Sequence, residues 1–197
     1  MKLNPKAILF DMDGVLVDSI DSWLKALNHA LKTFNMPKIS KKIFIDKYWG
    51  HDLYENLKKN NLPLKVGKFC NNIYGDHLDG IKIFPNSKEV LEKLSDYHKC
   101  IITNTPYDCT KQILKIFDID KYFDFILTSD DVKLSKPNPE IVLLACKKLK
   151  VKPKDAILIG DTKSDIKAGH AAGCKVIGIN IKADFRVENL TGILEIL

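Results

Sequence analysis

Ala7-Ile8-Leu9-Phe10-Asp11-Met12-Asp13-Gly14-Val15-Leu16-Val17-Asp18 is the stretch on which the reading of this chain turns. An unbroken apolar run of four residues reads as a strand buried on both faces, as in a parallel sheet. It delivers two carboxylates, two residues apart, to its C-terminal end, where open α/β sheets build their sites. On an extended chain that spacing sends both side chains to one side. Like charges crowded there repel unless a cation or a shared proton joins them. Asp11 and Asp13 are therefore candidates for metal-assisted chemistry with a carboxylate nucleophile; alone, they read better as solvated loop acids.

A second buried-strand run, Ala156-Ile157-Leu158-Ile159, leads into Gly160-Asp161-Thr162-Lys163-Ser164-Asp165. Asp165 falls four residues after Asp161, in the first turn of an expected helix, so the two can face one point. Taken singly, Asp161 reads as a helix N-cap and Asp165 as an acid favouring the helix dipole. If the two strands are neighbours, four acids converge. Hard oxygen ligands suit Mg²⁺, which is held by few carboxylates together with water and substrate phosphate.

Two further pieces lie between. Cys100-Ile101-Ile102-Thr103-Asn104-Thr105 is a third apolar strand ending in a hydroxyl and an amide, and Lys136-Pro137-Asn138-Pro139 sets a lysine just before a helix. Phosphoryl transfer needs donors and cations around the equatorial oxygens. Thr103 and Asn104 can donate, and Lys136 can supply a point charge; each also has an ordinary reading, as a cap or a solvated lysine.

The four pieces, in this order and each at the end of an apolar run, resemble the motifs of the haloacid dehalogenase superfamily: DxDG, then Thr103, then Lys136, then GDxxxD. The resemblance runs from about residue 6 to the end of the chain. It implies a Rossmann-like, doubly wound parallel α/β sheet, an aspartyl-phosphate intermediate and a Mg²⁺ cofactor. Carried over by position, Asp11 is the nucleophile and Asp13 the general acid and base. Asp11, the main-chain carbonyl of Asp13 and Asp161 hold the metal, with Asp165 orienting or water-bridging to it. Gly14, Thr103, Asn104 and Lys136 bind the substrate phosphate. Dehalogenating members lack the second aspartate of the first motif, so Asp13 points to phosphoryl transfer.

After residue 85, strands and helices alternate, the pattern of a doubly wound sheet. Helices are expected at Asn86–Tyr97, Tyr107–Phe117, Pro139–Lys150 and up to Ala172, strands near Phe125–Thr128 and at Lys175–Ile179, and a short closing helix in Val187–Leu197. Residues 18–82 break the alternation. Trp23, Leu24, Leu27, Ala30, Leu31 and Phe34 recur at helical spacing, and helical patterns follow over Ser40–Trp49, Asp52–Asn60 and Lys65–Leu78. The expected organisation is a core of residues 1–17 and 83–197, with a helical cap over residues 18–82 inserted after the first strand through linkers at Val15–Ser19 and Gly80–Pro85. The insert resembles the C1 cap of phosphoglycolate phosphatase and β-phosphoglucomutase relatives, a lid that excludes water. In those relatives the substrate-selecting loop falls where Tyr48-Trp49-Gly50-His51-Asp52 stands here. His51 can donate to an anionic leaving group, or be an ordinary turn histidine.

Composition fits a compact enzyme. At 197 residues with 45% hydrophobic content the chain can build one core with an insert, and no apolar run approaches the ~20 residues of a membrane span. The N-terminus enters the first strand at once, which leaves no room for a signal peptide. Cys70, Cys100, Cys109, Cys146 and Cys174 are scattered and odd in number, as expected of reduced, buried thiols in a cytoplasm. The net charge is +6, but Arg186 is the one arginine among 31 basic residues, so nucleic acid is not an expected partner. The expected partner is a small phosphorylated metabolite, carboxylated or sugar-like. Mutase relatives carry a cap-loop arginine that grips a second phosphate; its lack favours hydrolysis over phosphotransfer. A receiver-like signalling domain is the non-enzyme alternative, disfavoured by the insert and by a nucleophile on the first strand.

Overall fold

The computed structural model describes residues 2–50 and 53–197. Strand β1 (Ala7–Phe10) is the axis of the molecule. It pairs in parallel with β4 (His98–Ile102) on one side and β6 (Ala156–Gly160) on the other. Outside these lie β5 (Phe125–Leu127), β7 (Lys175–Ile179) and β8 (Phe185–Val187), giving a six-stranded parallel sheet of order β5-β4-β1-β6-β7-β8. The chain lays β4 and β5 to one side of β1, then crosses to lay β6, β7 and β8 on the other. The crevice beyond the carboxyl ends of β1, β4 and β6 therefore sits at the strand-order reversal.

Burial on both faces explains why these strands read as continuous apolar runs. Ile8, Phe10, Ile101, Ile157 and Ile159 feed one core layer; Ala7, Leu9, Cys100, Ile102 and Leu158 feed the opposite one. Helices α5 (Ser87–Lys93), α6 (Tyr107–Ile116), α7 (Glu140–Lys148) and α8 (Lys163–Ala172) flank the sheet. Helix α5 is shorter than its expected span: Asn86 stands left-handed at its start and Leu94 leaves helical geometry at its end. In the tail, Phe185–Val187 joins the sheet beside β7, and the closing helix is confined to α9 (Ile193–Ile196).

Between β1 and β4 the chain leaves the sheet. Val17–Asp18 (β2) and Lys82–Ile83 (β3) pair antiparallel, so the two expected linkers form a narrow two-residue ribbon, Val17 against Ile83 and Asp18 against Lys82. Beyond it stand α1 (Ile20–Thr33), α2 (Lys41–Lys47), α3 (Leu53–Lys59) and α4 (Leu64–Ile73), then a 3-10 stretch over Tyr74–Gly80. Helix α1 buries Ala26, Leu27, Ala30 and Leu31 at helical spacing, and Trp23 stacks on Tyr74 with ring centroids 3.7 Å apart. The five cysteines are buried free thiols. No helix among the described residues is long and apolar enough to cross a membrane.

Candidate active site

Register places the acids. Phe10 pairs with both Ile101 and Ile159, so Asp11, Thr103 and Asp161 emerge side by side at the sheet's edge. Asp11 is 7% exposed, and its Oδ1 accepts from the Met12 N–H at 2.8 Å and from Lys136 Nζ at 2.9 Å. Lys136 is fully buried. Its Nζ also donates to Asp165 Oδ1 at 2.7 Å and to the Ile102 carbonyl at 2.9 Å, so three donors meet three acceptors. Burial pushes the Lys136 ammonium toward neutrality, but Asp11 and Asp165 more than offset that and its pKa lies above the ordinary lysine value.

Asp165 has two tasks. Its Oδ2 accepts from the N–H and hydroxyl of Thr162, closing a capping box at the start of α8, while Oδ1 holds Lys136. The helix cap is thus Thr162 rather than Asp161, and this frees the Asp161 carboxylate. Its Oδ2 accepts from the Trp49 indole N–H at 3.3 Å, whereas Oδ1 is enclosed with no hydrogen-bond partner.

Oxygens of Asp11, Asp161 and Asp165 lie within 4.8 Å of one another. Asp13 is not in that cluster. After Phe10 the chain turns: Gly14 has φ +81°, a left-handed conformation, and a Cβ there would lie 2.1 Å from Asp161 Oδ2. The Asp13 carboxylate instead meets three hydroxyls. Ser19 and Thr105 donate to it, Thr105 at 2.7 Å, and Thr103 approaches to 3.3 Å. The expectation that spacing alone would aim both carboxylates one way fails because the strand ends before Asp13.

Asn104 sits beside the site with both polar atoms engaged. Its Oδ1 accepts from Lys136 N at 3.0 Å and its Nδ2 donates to Lys136 O at 2.9 Å. That pair fixes the lysine's backbone. His51, the cap-loop candidate, lies outside the described residues. The adjoining Gly50 has φ +70°, and a Cβ on it would lie 2.4 Å from Thr162 Cγ2, so the Gly50 backbone packs directly on Thr162. Sequence reasoning missed Ser19, Trp49 as an Asp161 partner, and Thr105; a hydroxyl two residues past Thr103 was the one available signal.

Three carboxylates against one buried ammonium leave negative charge unbalanced. Burial, then Asp165, raise the Asp161 pKa to about 7, with the Trp49 bond and Lys136 opposing. Burial and the neighbouring acids Asp165, Asp161 and Asp13 also push Asp11 well above the usual carboxylate range, against the pull of Lys136. An enclosed, unpartnered carboxylate oxygen inside such a cluster fits a hard divalent cation. Above the cluster is a cavity of about 110 Å³, floored by Asp11, Asp13 and Lys136 and walled by residues between Trp23 and Asn71.

The chain is similar to known proteins along nearly its whole length. The chain is 30% identical over 203 residues to a phosphoglycolate phosphatase of Haemophilus influenzae, covering 95% of this chain and 91% of that relative. The crystal structure of a predicted phosphoglycolate phosphatase from Haemophilus somnus 129PT superposes with a TM-score of 0.83 at 30% identity, covering 98% of each chain. CbbY from Rhodobacter sphaeroides, crystallised with phosphate, shares the fold, with a TM-score of 0.83 at 19% identity over 94% of this chain and 95% of its own. The profile of the haloacid dehalogenase-like hydrolases matches residues 8–179, from the second residue of β1 to the end of β7. With its acids and its buried lysine all falling inside that match, the chain belongs to the haloacid dehalogenase-like hydrolase family.

Proposed function

We propose that the protein is a Mg²⁺-dependent phosphatase that hydrolyses a small phosphorylated metabolite through an aspartyl-phosphate on Asp11. One observation carries the reading. Two carboxylates two residues apart have been given opposite surroundings: Asp11 joins Asp161, Asp165 and Lys136, and Asp13 is set among the hydroxyls of Ser19, Thr103 and Thr105. Environments that separate a pair of carboxylates assign them separate roles.

Asp11 attacks phosphorus as its oxygen–phosphorus bond forms and the ester bond breaks. The departing oxygen takes a proton from Asp13. In the second half Asp13 removes a proton from water, whose oxygen displaces Asp11 and releases phosphate. Lys136 holds Asp11 in place and answers charge on the phosphoryl oxygens; Thr103 and Thr105 orient Asp13. Asp11, the Asp13 carbonyl and Asp161 would hold Mg²⁺, with Asp165 behind them, and the bound ion would neutralise charge between nucleophile and phosphoryl group.

Residues 18–82 would act as a cap domain on a core of 1–17 and 83–197, with the loop around His51 facing the leaving group. Hydrolysis is favoured over mutase chemistry because the sole arginine, Arg186, lies on β8, away from the cap. A cytoplasmic setting accords with the buried free thiols. The test is rapid quench with a labelled phosphate ester, followed by peptide mapping. Label on Asp11 with free phosphate as product is expected; label on any other residue, or transfer to a second metabolite, refutes the reading.

A further inference from the structure

Two of the three clustered acids are fixed by neighbours in the core, the third by a residue of the cap. Asp11 accepts from the Met12 N–H and from Lys136, and Asp165 accepts from Thr162 and from Lys136. Asp161 Oδ2 accepts instead from the Trp49 indole N–H, at 3.3 Å. A side chain of the helical segment thus reaches across the cavity to an acid that the reading above assigns to the metal.

Trp49 is itself held in place. Its backbone N–H donates to the Phe44 carbonyl of α2 at 3.0 Å, and its ring is tilted against Phe44 at 6.1 Å. The Tyr48 carbonyl just before it accepts from the buried Asn56 side chain at 3.2 Å, which ties the same turn to α3. Just after it, the Gly50 backbone packs on Thr162. One short piece of the cap therefore touches two consecutive residues of the core, Asp161 through Trp49 and Thr162 through Gly50. A donor so placed sets the rotation of the Asp161 carboxylate.

A carboxylate offers about four lone-pair sites, so one N–H leaves the rest free to face a cation. Metal-ligating side chains are commonly oriented by an outer hydrogen bond of this kind, and its removal costs about 10–100-fold in metal affinity. Here the bond comes from the cap, so it exists only while the cap is down on the core. Linkage then runs both ways: closure that raises Mg²⁺ affinity is itself favoured by Mg²⁺, by the same factor.

We propose that Trp49 is a positioning residue for the metal ligand Asp161, and that through it Mg²⁺ binding and cap closure favour one another; this rests on the metal-dependent phosphatase reading. The test is calorimetric titration of the full-length protein with Mg²⁺, without substrate. Trp49→Phe keeps a ring against Phe44 and deletes the N–H, and its Mg²⁺ dissociation constant should rise about tenfold, the lower end for a bond of this length. Because the smaller ring also disturbs packing, a second variant carries 3-benzothienylalanine at position 49, which keeps the bicyclic shape and puts sulfur in place of the N–H. It is made in a Trp23→Phe background, where Trp49 is the sole tryptophan, and should lose Mg²⁺ affinity about tenfold against that parent. In the parent itself, acrylamide quenching of Trp49 fluorescence should fall as Mg²⁺ is added.

Equal Mg²⁺ affinity of the benzothienyl variant and its parent overturns the proposal, whatever Trp49→Phe does, and leaves the phosphatase reading intact: Trp49 would then be packing alone. Quenching that saturating Mg²⁺ does not change overturns the link to cap closure. A wild-type protein that binds no Mg²⁺ refutes the metal-dependent reading itself, and this inference with it.

Discussion

Replacing Asp161 by asparagine should stabilise the protein when no divalent cation is present. The native carboxylate has its pKa raised from 3.8 to about 7, chiefly by burial and by Asp165. Between those two values the folded chain keeps a proton that the unfolded chain has released, so folded-state stability falls as pH rises through that window. At ~1.4 kcal/mol per unit, the full shift amounts to about 4 kcal/mol against the ionised folded form. Asp161 keeps some exposure, and solvent screening brings this to roughly 2–3 kcal/mol. Asparagine keeps the shape and an acceptor for Trp49 but carries no charge. In EDTA at pH 8 the variant should therefore melt roughly 4–12 °C above wild type, at ~2–4 °C per kcal/mol for a chain of this size. At pH 4.5 the folded carboxylate is protonated, only the uptake of that proton from the largely ionised unfolded chain still counts against wild type, and the advantage should shrink to about a quarter. Saturating Mg²⁺ should raise the wild-type midpoint and leave the variant's nearly unmoved, because only the former gains binding free energy. Calorimetry at two pH values, with and without Mg²⁺, reads all four states. A variant that melts below wild type in EDTA at pH 8, or a gain independent of pH, would refute the electrostatic reasoning.

Chelation with EDTA should abolish phosphate release and added Mg²⁺ restore it; activity that survives excess chelator would remove the acid cluster from the mechanism. Asp11→Asn should eliminate turnover with the fold retained by circular dichroism, whereas Asp13→Asn should slow both half-reactions by ~10²–10⁴-fold in single-turnover kinetics. Lys136→Met leaves Asp11 and Asp165 facing each other in a closed space, and loss of one partner from a buried ion pair costs about 3–5 kcal/mol, read as a fall in the urea midpoint. Thr105→Val removes the 2.7 Å donor to Asp13 and should lower kcat more than it raises KM; a change confined to KM would make Thr105 a substrate contact instead.

How much of this was legible follows from where information sits along a chain. Strands β1, β4 and β6 could be read because burial on both faces demands a continuous apolar run, and four or five such residues in a row are conspicuous between polar neighbours. Once they are adjacent, the parallel register does the rest, since Phe10 opposite Ile159 brings Asp11 and Asp161 to one edge. Strand β8 and the β2–β3 ribbon could not be read, because two or three residues show no period, and their pairing is decided by neighbours rather than by their own side chains. The site divides along the same line. Asp11, Lys136, Asp161 and Asp165 are rare combinations at fixed spacing and stand out. Ser19 and Thr105 are common small hydroxyls, and nothing in their local sequence shows that Asp13 turns away from its partner toward them. Trp49 stands 112 residues from Asp161. Its apolar bulk and helical neighbourhood argue for core, and only the fold reveals that its N–H reaches into the acid cluster. The legible part of the site is thus the part that carries formal charge, together with Thr103 at the end of its apolar strand, and the hidden part is the remaining uncharged donors that help tell two otherwise identical carboxylates apart. That division is physically sensible: buried charges must be answered, so acids and a lysine at the ends of apolar runs point to one another even from distant segments, while hydroxyls and indoles are tolerated almost anywhere and acquire meaning from position alone.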